Sequence, residues 1–513
     1  MKTEFVSSNV NMLDGMLSVT VCIKRESSGG YAPRLGVIFT FGDKTRRMPL
    51  NREYENAEGQ EILRYSNRFI LSEIFFRCKA GDTTLDIIPE NGERLDIIPE
   101  KAVTGDGIEL RDGSFLIPKR LMNKKTPRSF SELITKDNIA RLVFSVFNIY
   151  YKLYRRFHPT LENRITFMSG RRTSIDGNMR FVYDELKKDK MLDVKTLLFI
   201  QSSGRQLLKN TFAFMKLYAT SRAVIVDDFF RLLSYFDKPE GTRVFQLWHA
   251  CGAFKTFGYS RLGKVGAPSQ RSANHRTYDY AFVSSREVAR HYAEGFGISD
   301  SSVISTGVSR CDVFFDEDYK AGVKARFYEK YPILKDKKVL LFAPTFRGNG
   351  QQSAYYPTDK LNLDELCSGI GEEWAVIIKL HPFCKERFRI SEELKKRVID
   401  LSDEDELNDL LFITDLLVTD YSSAVFEASL LNIPMLFYAF DLEEYIKTRD
   451  FYYSFDALAP GKLVRSEEEL ISSIKQENFE KNKIKEFEKR FFDYNDSRSA
   501  ERTAEFILNV IRG

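Results

Sequence analysis

From Asn163 onward the chain alternates short apolar runs with helical stretches, and it does so in two successive series. The first comprises Arg164–Met168, Thr196–Ile200, Ala223–Val226, Val244–Leu247 and Tyr280–Val283. The second comprises Val339–Phe342, Ala375–Lys379, Leu416–Thr419 and Met435–Phe437. Short apolar runs between helices read as strands buried on both faces, as in a parallel sheet with helices packed on either side. Two such series predict an α/β chain with two doubly wound sheets. Helical stretches at Ala321–Tyr331 and Ser466–Lys475, with the tail Ser497–Arg512, complete the pattern. In these sheets ligands bind beyond the carboxyl ends of the strands, so the loops there are where chemistry is to be sought.

Residues 1–125 read differently. Alternating runs at Ser18–Lys24, Arg34–Phe41 and Arg68–Phe76 are separated by turn signals at Ser28–Gly30, Asn91-Gly92 and Asp112-Gly113. The segment LDIIPE occurs at Leu85–Glu90 and again at Leu95–Glu100, which predicts a hairpin of two similar strands. A small β-sandwich without catalytic residues is the expectation for this part. The basic stretch Lys119–Arg128 then leads into Asn138–Phe157, where Leu142, Phe144, Val146, Phe147, Tyr150, Tyr151 and Tyr154 recur near helical spacing and Lys152, Arg155 and Arg156 cluster at the end. Such a helix either packs between domains or lies in a lipid interface. At roughly 100–200 residues per domain, the 513 residues divide into a β-domain (1–125), a basic helical linker (126–162) and two Rossmann-like domains (163–330 and 331–513, the latter with the C-terminal helix).

Composition removes several functions. Lys and Arg total 77 against 73 Asp and Glu, a net charge of +4, so no overall field draws the chain onto nucleic acid. Six cysteines without paired spacing argue against a disulfide scaffold or structural zinc, and neither metal nor cofactor is expected. The sequence starts without the basic and apolar regions of a signal peptide, and the longest apolar run, Ser429–Phe440, is interrupted by Asn432 and Pro434. A soluble protein or one resting on a membrane surface is expected. Loops of the GxxxxGK[ST] kind, GxSxG elbows, HExxH helices and a convincing GxGxxG are all missing. The carboxylates Asp227-Asp228 and Asp403–Asp405 read as surface or capping acids. The aromatic-rich β-domain makes a homodimer worth considering.

The chain has five histidines, and two directly follow strand-like runs: His249 after Phe245–Trp248, and His381 after Ile377–Leu380. One lies in each Rossmann-like domain, each before a backbone break at Gly252 or Pro382, which favours a functional role facing an interdomain cleft. His158, His275 and His291 read as structural. Groups suited to phosphate surround the pair. Ala343–Gly348 after one strand supplies Pro344, Thr345 and Arg347, and Asp420–Ala424 after another supplies Ser422-Ser423 at a helix start. That serine pair suits either an anion or ordinary N-capping. Glu427 suits ribose or polyol hydroxyls, or merely the helix dipole. Arg310 offers a bidentate phosphate donor or a salt bridge to Asp312. Bases, hydroxyls, helix starts and arginines together favour the handling of a diphosphate.

The segments FQLWHACGAFKTFGYS (245–260), TGVSRCD (306–312), LFAPTFRG (341–348), IIKLHPF (377–383) and LLVTDYSSAVFEASLLNIPMLFYAFDLEEY (416–445) resemble, in order, the motif series of the CDP-glycerol/CDP-ribitol polyolphosphotransferases. These are the teichoic acid polymerases and primases of Gram-positive bacteria, and the resemblance covers about residues 163–505. It implies a GT-B-like pair of Rossmann-type domains and attachment to the cytoplasmic face of the cell membrane, an anionic surface bearing the undecaprenyl-diphosphate-linked acceptor. It makes His249 the general base and His381 a contact to the donor diphosphate. Trp248, Ala250, Cys251, Gly252, Arg310, Pro344, Thr345, Lys379, Leu380, Ser422, Ser423 and Glu427 would line the CDP-polyol site, with Arg347 as a further phosphate contact. Departures exist: glycerol-phosphate members often carry WHGTP followed by KKLG, where this chain has WHACG and KTFG, and Asp is common at the position of Glu427. The stretches 252–268 and 274–285 look closer to the ribitol-phosphate branch, so CDP-ribitol is expected over CDP-glycerol. The alternative is a CDP-glycerol glycerophosphotransferase, polymerase or primase; further off stand a nucleotide-sugar glycosyltransferase and a non-catalytic polymer-binding scaffold.

Overall fold

A computed structural model describes residues 3–25, 33–57, 60–89, 92–126, 136–200, 204–264, 267–348, 353–404, 406–448 and 450–513. The turn at Ser28–Gly30, Asn91, Arg128 and Asp405 fall outside these residues. The chain divides into two compact units. The first comprises Met1–His249, Thr256–Ser309 and Ala500–Gly513, and the second Ala250–Lys255 and Arg310–Ser499.

In the first unit a six-stranded sheet runs in the order Asp193–Leu198, Leu161–Ser169, Ser221–Val226, Arg243–Gln246, Tyr280–Val283, Val303–Ser305. All neighbours are parallel. Helix Ser499–Arg512 adds Ala504, Ile507 and Ile511 to the core formed by Ile165, Phe167, Ile225 and Phe245. The second unit holds another parallel six-stranded sheet, in the order Val398–Asp400, Trp374–Ile378, Lys338–Phe342, Leu416–Thr419, Met435–Tyr438, Lys462–Val464. The two expected Rossmann-type sheets are therefore present. In each, the strand order reverses at one place: between Leu161–Ser169 and Ser221–Val226 in the first, and between Lys338–Phe342 and Leu416–Thr419 in the second.

The division differs from the expected cuts at 125, 162 and 330. Helix Glu317–Lys330 belongs to the second unit, where Tyr319 Oη and Arg326 reach Asp409 at 2.9 and 2.6 Å. The terminal helix belongs to the first, where Arg222 Nε donates to the Ile511 carbonyl at 3.1 Å.

The β-domain also lies within the first unit. Among the described residues its nine strands form one hydrogen-bonded network. Continuity comes from the long strand Lys44–Ala57, whose first half pairs with Leu35–Phe41 and whose second half pairs with Gln60–Phe69. Residues of both halves, among them Val21, Tyr65, Phe39 and Phe115, share one core. The aromatic side chains that suggested a homodimer are largely buried there. Two local expectations fail. The run Arg68–Phe76 is a strand only to Phe69, and Leu71–Ile74 is a helical turn. The second LDIIPE copy turns back beside the first, its Leu95 N–H donating to the Ile87 carbonyl at 2.8 Å, but forms no strand there; Thr83–Pro89 pairs with Leu35–Phe41 and, at its start, with Ser114–Ile117.

Tyr259 and Leu262 join the β-domain core, and Arg34–Glu294 (3.0 Å) and Arg47–Asp300 (2.8 Å) tie it to the Rossmann part of the same unit. Helix Lys136–Phe157 packs one face inward through Phe144 stacked on Tyr235 and Tyr151 against Tyr218 and Phe236. Its other face carries Leu142, Val146, Ile149, Leu153 and Phe157, exposed between 57% (Leu153) and 73% (Leu142). Among the described residues no helix is long and apolar enough to cross a membrane.

Candidate functional site

In the second unit the predicted loops leave the carboxyl ends of three adjacent strands, Trp374–Ile378, Lys338–Phe342 and Leu416–Thr419, around the reversal of strand order. Asp420, buried, staples two of them: its Oδ1 accepts from the Thr345 backbone N–H (2.7 Å), and its Oδ2 accepts from Arg347 (2.8 Å). Thr419 Oγ1 donates to the Ala343 carbonyl at 2.7 Å, closing the same seam below Pro344. Thr345 and the Lys255 ammonium meet at 3.5 Å. Ser422 Oγ accepts from Ala424 N (3.2 Å), whereas Ser423, at the start of helix Ala424–Leu430, makes no side-chain cap. Capping thus accounts for one serine of the pair.

His381 sits on the third loop against the rings of Phe346 and Phe383. The Phe383 backbone N–H donates to its Nδ1 at 3.2 Å, which puts the proton of the neutral ring on Nε2. Leu380 points into the core, and its N–H donates to Ser402 Oγ at 3.0 Å.

Two expected phosphate groups are engaged elsewhere. Arg347 is buried, gripping Asp441 through Nε (2.7 Å) and Nη2 (2.9 Å) while Nη1 serves Asp420 and the Thr345 carbonyl (2.6 Å). Two carboxylates and the faces of Tyr421 and Tyr445 hold this guanidinium as an internal strut, not a surface phosphate contact. Lys379 Nζ donates to the carbonyls of Leu401 (2.8 Å) and Glu404.

Arg310 and Glu427 form a salt bridge in which Glu427 is almost wholly buried. Arg310 donates to Glu427 Oε1, and Asp312 accepts from the Ser499 N–H at 2.9 Å. Glu427 Oε2 is buried with no hydrogen-bond partner. Near the Glu427 carboxylate lie the buried thiols of Cys251 and Cys311, the two sulfurs and one carboxylate oxygen within 4.8 Å of one another. Burial, and then contact with Cys311, pushes the Cys251 thiol well above its ordinary range. Gly252 follows at φ +63°, and a Cβ there would run into the Phe426 ring, so only glycine suits this step of the chain.

In the first unit His249 follows strand Arg243–Gln246, beside the strand whose exit carries Asp227-Asp228. Trp248, at φ +54°, is held by the Gln246 side chain accepting from its N–H (2.7 Å) and Asn178 donating to its carbonyl (2.7 Å). Its indole packs against Phe257 and Phe296. This fixed turn presents His249 with its side chain 42% exposed. Nδ1 lies 3.4 Å from the Asp227 carbonyl oxygen and 3.9 Å from Asp228 Oδ2. Asp228 is paired to Arg171 (2.5 Å) and Asp227 to Arg172 (2.6 Å). Burial raises the Asp227 carboxyl against the opposing pull of Arg172. These acids are therefore partners of a histidine and two arginines at the reversal point of the sheet, and Asp228 Oδ1 also caps the Phe229 N–H at 2.6 Å. A strand-end position followed by a polar pair was their only signal in the sequence. His275, enclosed by Phe229, Trp248 and Phe296, is lowered to about 4 by burial.

Comparison with known proteins adds the family. A teichoic acid poly(ribitol-phosphate) polymerase of Bacillus spizizenii is 44% identical over 371 residues, 72% of this chain and 60% of that protein. The teichoic acid ribitol-phosphate polymerase TarK of Staphylococcus aureus is 42% identical over 361 residues, 70% of each chain. The chain thus spans 60% and 70% of the lengths of these two relatives. The solved structure of the wall teichoic acid polymerase TagF matches with a TM-score of 0.56 at 19% identity, covering 74% of this chain and 97% of that one, a likeness of fold. The family model described as CDP-glycerol:poly(glycerophosphate) glycerophosphotransferase matches residues 150–509, and to this family the chain belongs.

Proposed function

We propose that the protein transfers ribitol phosphate from CDP-ribitol to the terminal hydroxyl of a lipid-linked wall teichoic acid chain, releasing CMP. The observation that carries this reading is the convergence of the Thr345, His381 and Ser422-Ser423 loops on the reversal point of the second sheet. That is where doubly wound sheets take phosphorylated ligands. The names of the two relatives above, both ribitol-phosphate polymerases, favour ribitol over glycerol.

In this mechanism the acceptor hydroxyl attacks the polyol-bearing phosphorus. A new P–O bond forms, the phosphoanhydride bond breaks, and CMP departs with the electron pair. His249 takes the hydroxyl proton, with Nε2 the proposed acceptor because Nδ1 faces the Asp227 carbonyl and Asp228. His381 offers its Nε2 proton to the diphosphate, alongside Thr345 and the serine pair. Positioning and electrostatics supply most of such a transfer.

Membrane attachment is part of the proposal. The exposed stripe of helix Lys136–Phe157, bordered by exposed Lys152 and Arg156, suits the surface of an anionic cytoplasmic leaflet.

The experiment is CMP release by the purified protein from CDP-ribitol or CDP-glycerol, with a short lipid-linked acceptor. Release from CDP-ribitol with a growing product ladder is expected. Preference for CDP-glycerol would replace the donor and keep the mechanism, and turnover of UDP-sugars alone would overturn both.

A further inference from the structure

Cys251, Cys311 and Glu427 come from three separate stretches of the second unit, and nothing in their spacing suggests a common purpose. The fold buries all three together, with two sulfurs and one carboxylate oxygen within 4.8 Å of one another. The second observation is at Glu427. Arg310 occupies Oε1, while Oε2 is buried and has no hydrogen-bond partner. An unsatisfied buried carboxylate oxygen is costly and is retained where something is available to bind it. We infer that Cys251, Cys311 and Glu427 form a binding site for a soft divalent cation of the Zn²⁺ class, with a fourth position left for water.

The chemistry of the set agrees. Thiolate and carboxylate oxygen are both zinc donors, and three protein ligands plus one open position is an established zinc arrangement. With metal–sulfur bonds of about 2.3 Å, tetrahedral geometry separates two sulfurs by about 3.7 Å. Drawing the three side chains inward by about 1 Å or less meets that requirement. Charge also balances. Two thiols and the Glu427–Arg310 pair are neutral together; binding Zn²⁺ releases two thiol protons and leaves two thiolates, a carboxylate, the cation and the guanidinium, again neutral. The buried site therefore exchanges two protons for one dication without gaining charge. Arg310, on the other carboxylate oxygen, orients the ligand as outer partners of metal sites do. This inference rests on the buried triad alone and not on the phosphotransferase reading.

The test uses the full-length reduced protein and the metal alone. Zn²⁺ is titrated against a chromophoric chelator, and Co²⁺ is added in a parallel sample to report its ligands by absorption. One equivalent of tight Zn²⁺ and a thiolate-to-cobalt charge-transfer band are expected. Cys251→Ser and Cys311→Ser, each checked for folding by thermal unfolding, should weaken that equivalent by more than about 100-fold. Cys367→Ser and Cys384→Ser should leave it unchanged. If the cobalt complex of the unmodified protein lacks a thiolate band, or if zinc affinity survives either Cys251→Ser or Cys311→Ser, there is no such site.

Discussion

His249 and His381 are held by different means, and the difference bears on what each can do. A positive-φ turn at Trp248 and a polar pair behind Nδ1 present His249 half-exposed, as a proton acceptor requires. A backbone N–H fixes His381 as a donor through Nε2. Replacing either with alanine should leave the fold intact and lower CMP release by about 10²–10⁴-fold, the range of a well-placed general acid or base. Near-normal turnover in either variant would remove that histidine from the mechanism. Arg347 makes the opposite prediction. Arg347→Met strands Asp420 and Asp441 without their buried cation, which should cost about 3–5 kcal/mol and show in thermal unfolding. His275 gives a pH signature. Its folded-state pKa, lowered to about 4 from 6.5, favours the neutral ring, so its stabilising effect is complete above pH 6.5 and is lost as pH falls towards 4. His275→Gln should flatten that part of a plot of unfolding temperature against pH. At this scale the sequence was readable where chemistry follows a strand end, as at both histidines. It was opaque for Arg347, whose partners Asp420 and Asp441 lie 73 and 94 residues away, because a guanidinium in a loop looks the same whether it faces a ligand or an internal carboxylate.

Among elements, helix Lys136–Phe157 shows the packing side of what its sequence left open between packing and lipid contact. Its aromatic face packs inward, while the stripe from Leu142 to Phe157 is exposed. Changing Val146, Ile149 and Leu153 to serine should barely affect unfolding temperature, since these side chains bury little area. The same change should reduce co-sedimentation with anionic liposomes, and equal binding by variant and parent would exclude the stripe as a contact. The strands of the parallel sheets were legible because burial on both faces makes them continuous apolar runs. The edge strands Val303–Ser305, Val398–Asp400 and Lys462–Val464 were not, being three residues long with too little pattern to register. The β-domain was legible strand by strand, but its single hydrogen-bonded network depends on one long strand changing partners midway, a tertiary choice that alternation alone does not encode.

For the whole molecule, the β-domain is not an independent appendage. Tyr259 and Leu262 lie in its core, and Arg34 and Arg47 pair with Glu294 and Asp300. Deleting residues 1–125 should expose both apolar side chains, at about 1.5–3 kcal/mol each, and strip partners from both acids. The expected result, read by scanning calorimetry and soluble yield, is a lower unfolding temperature and aggregation. An unchanged transition for the remaining first-unit residues would show that the two parts fold separately.

The longer segment of the second unit, Arg310–Ser499, interrupts the first, which is completed by Ala504, Ile507 and Ile511 from the helix that follows. On the ribosome this order has a consequence. At about 5–20 residues per second, the intervening roughly 190 residues take about 10–40 seconds to synthesise. Until the terminal helix is made, the first sheet waits with one flank of its apolar core uncovered, while the second sheet gains its last strand, Lys462–Val464, before that point. The nascent chain should therefore recruit chaperones through its earlier-made half, and the later-made half should be the first to resist protease.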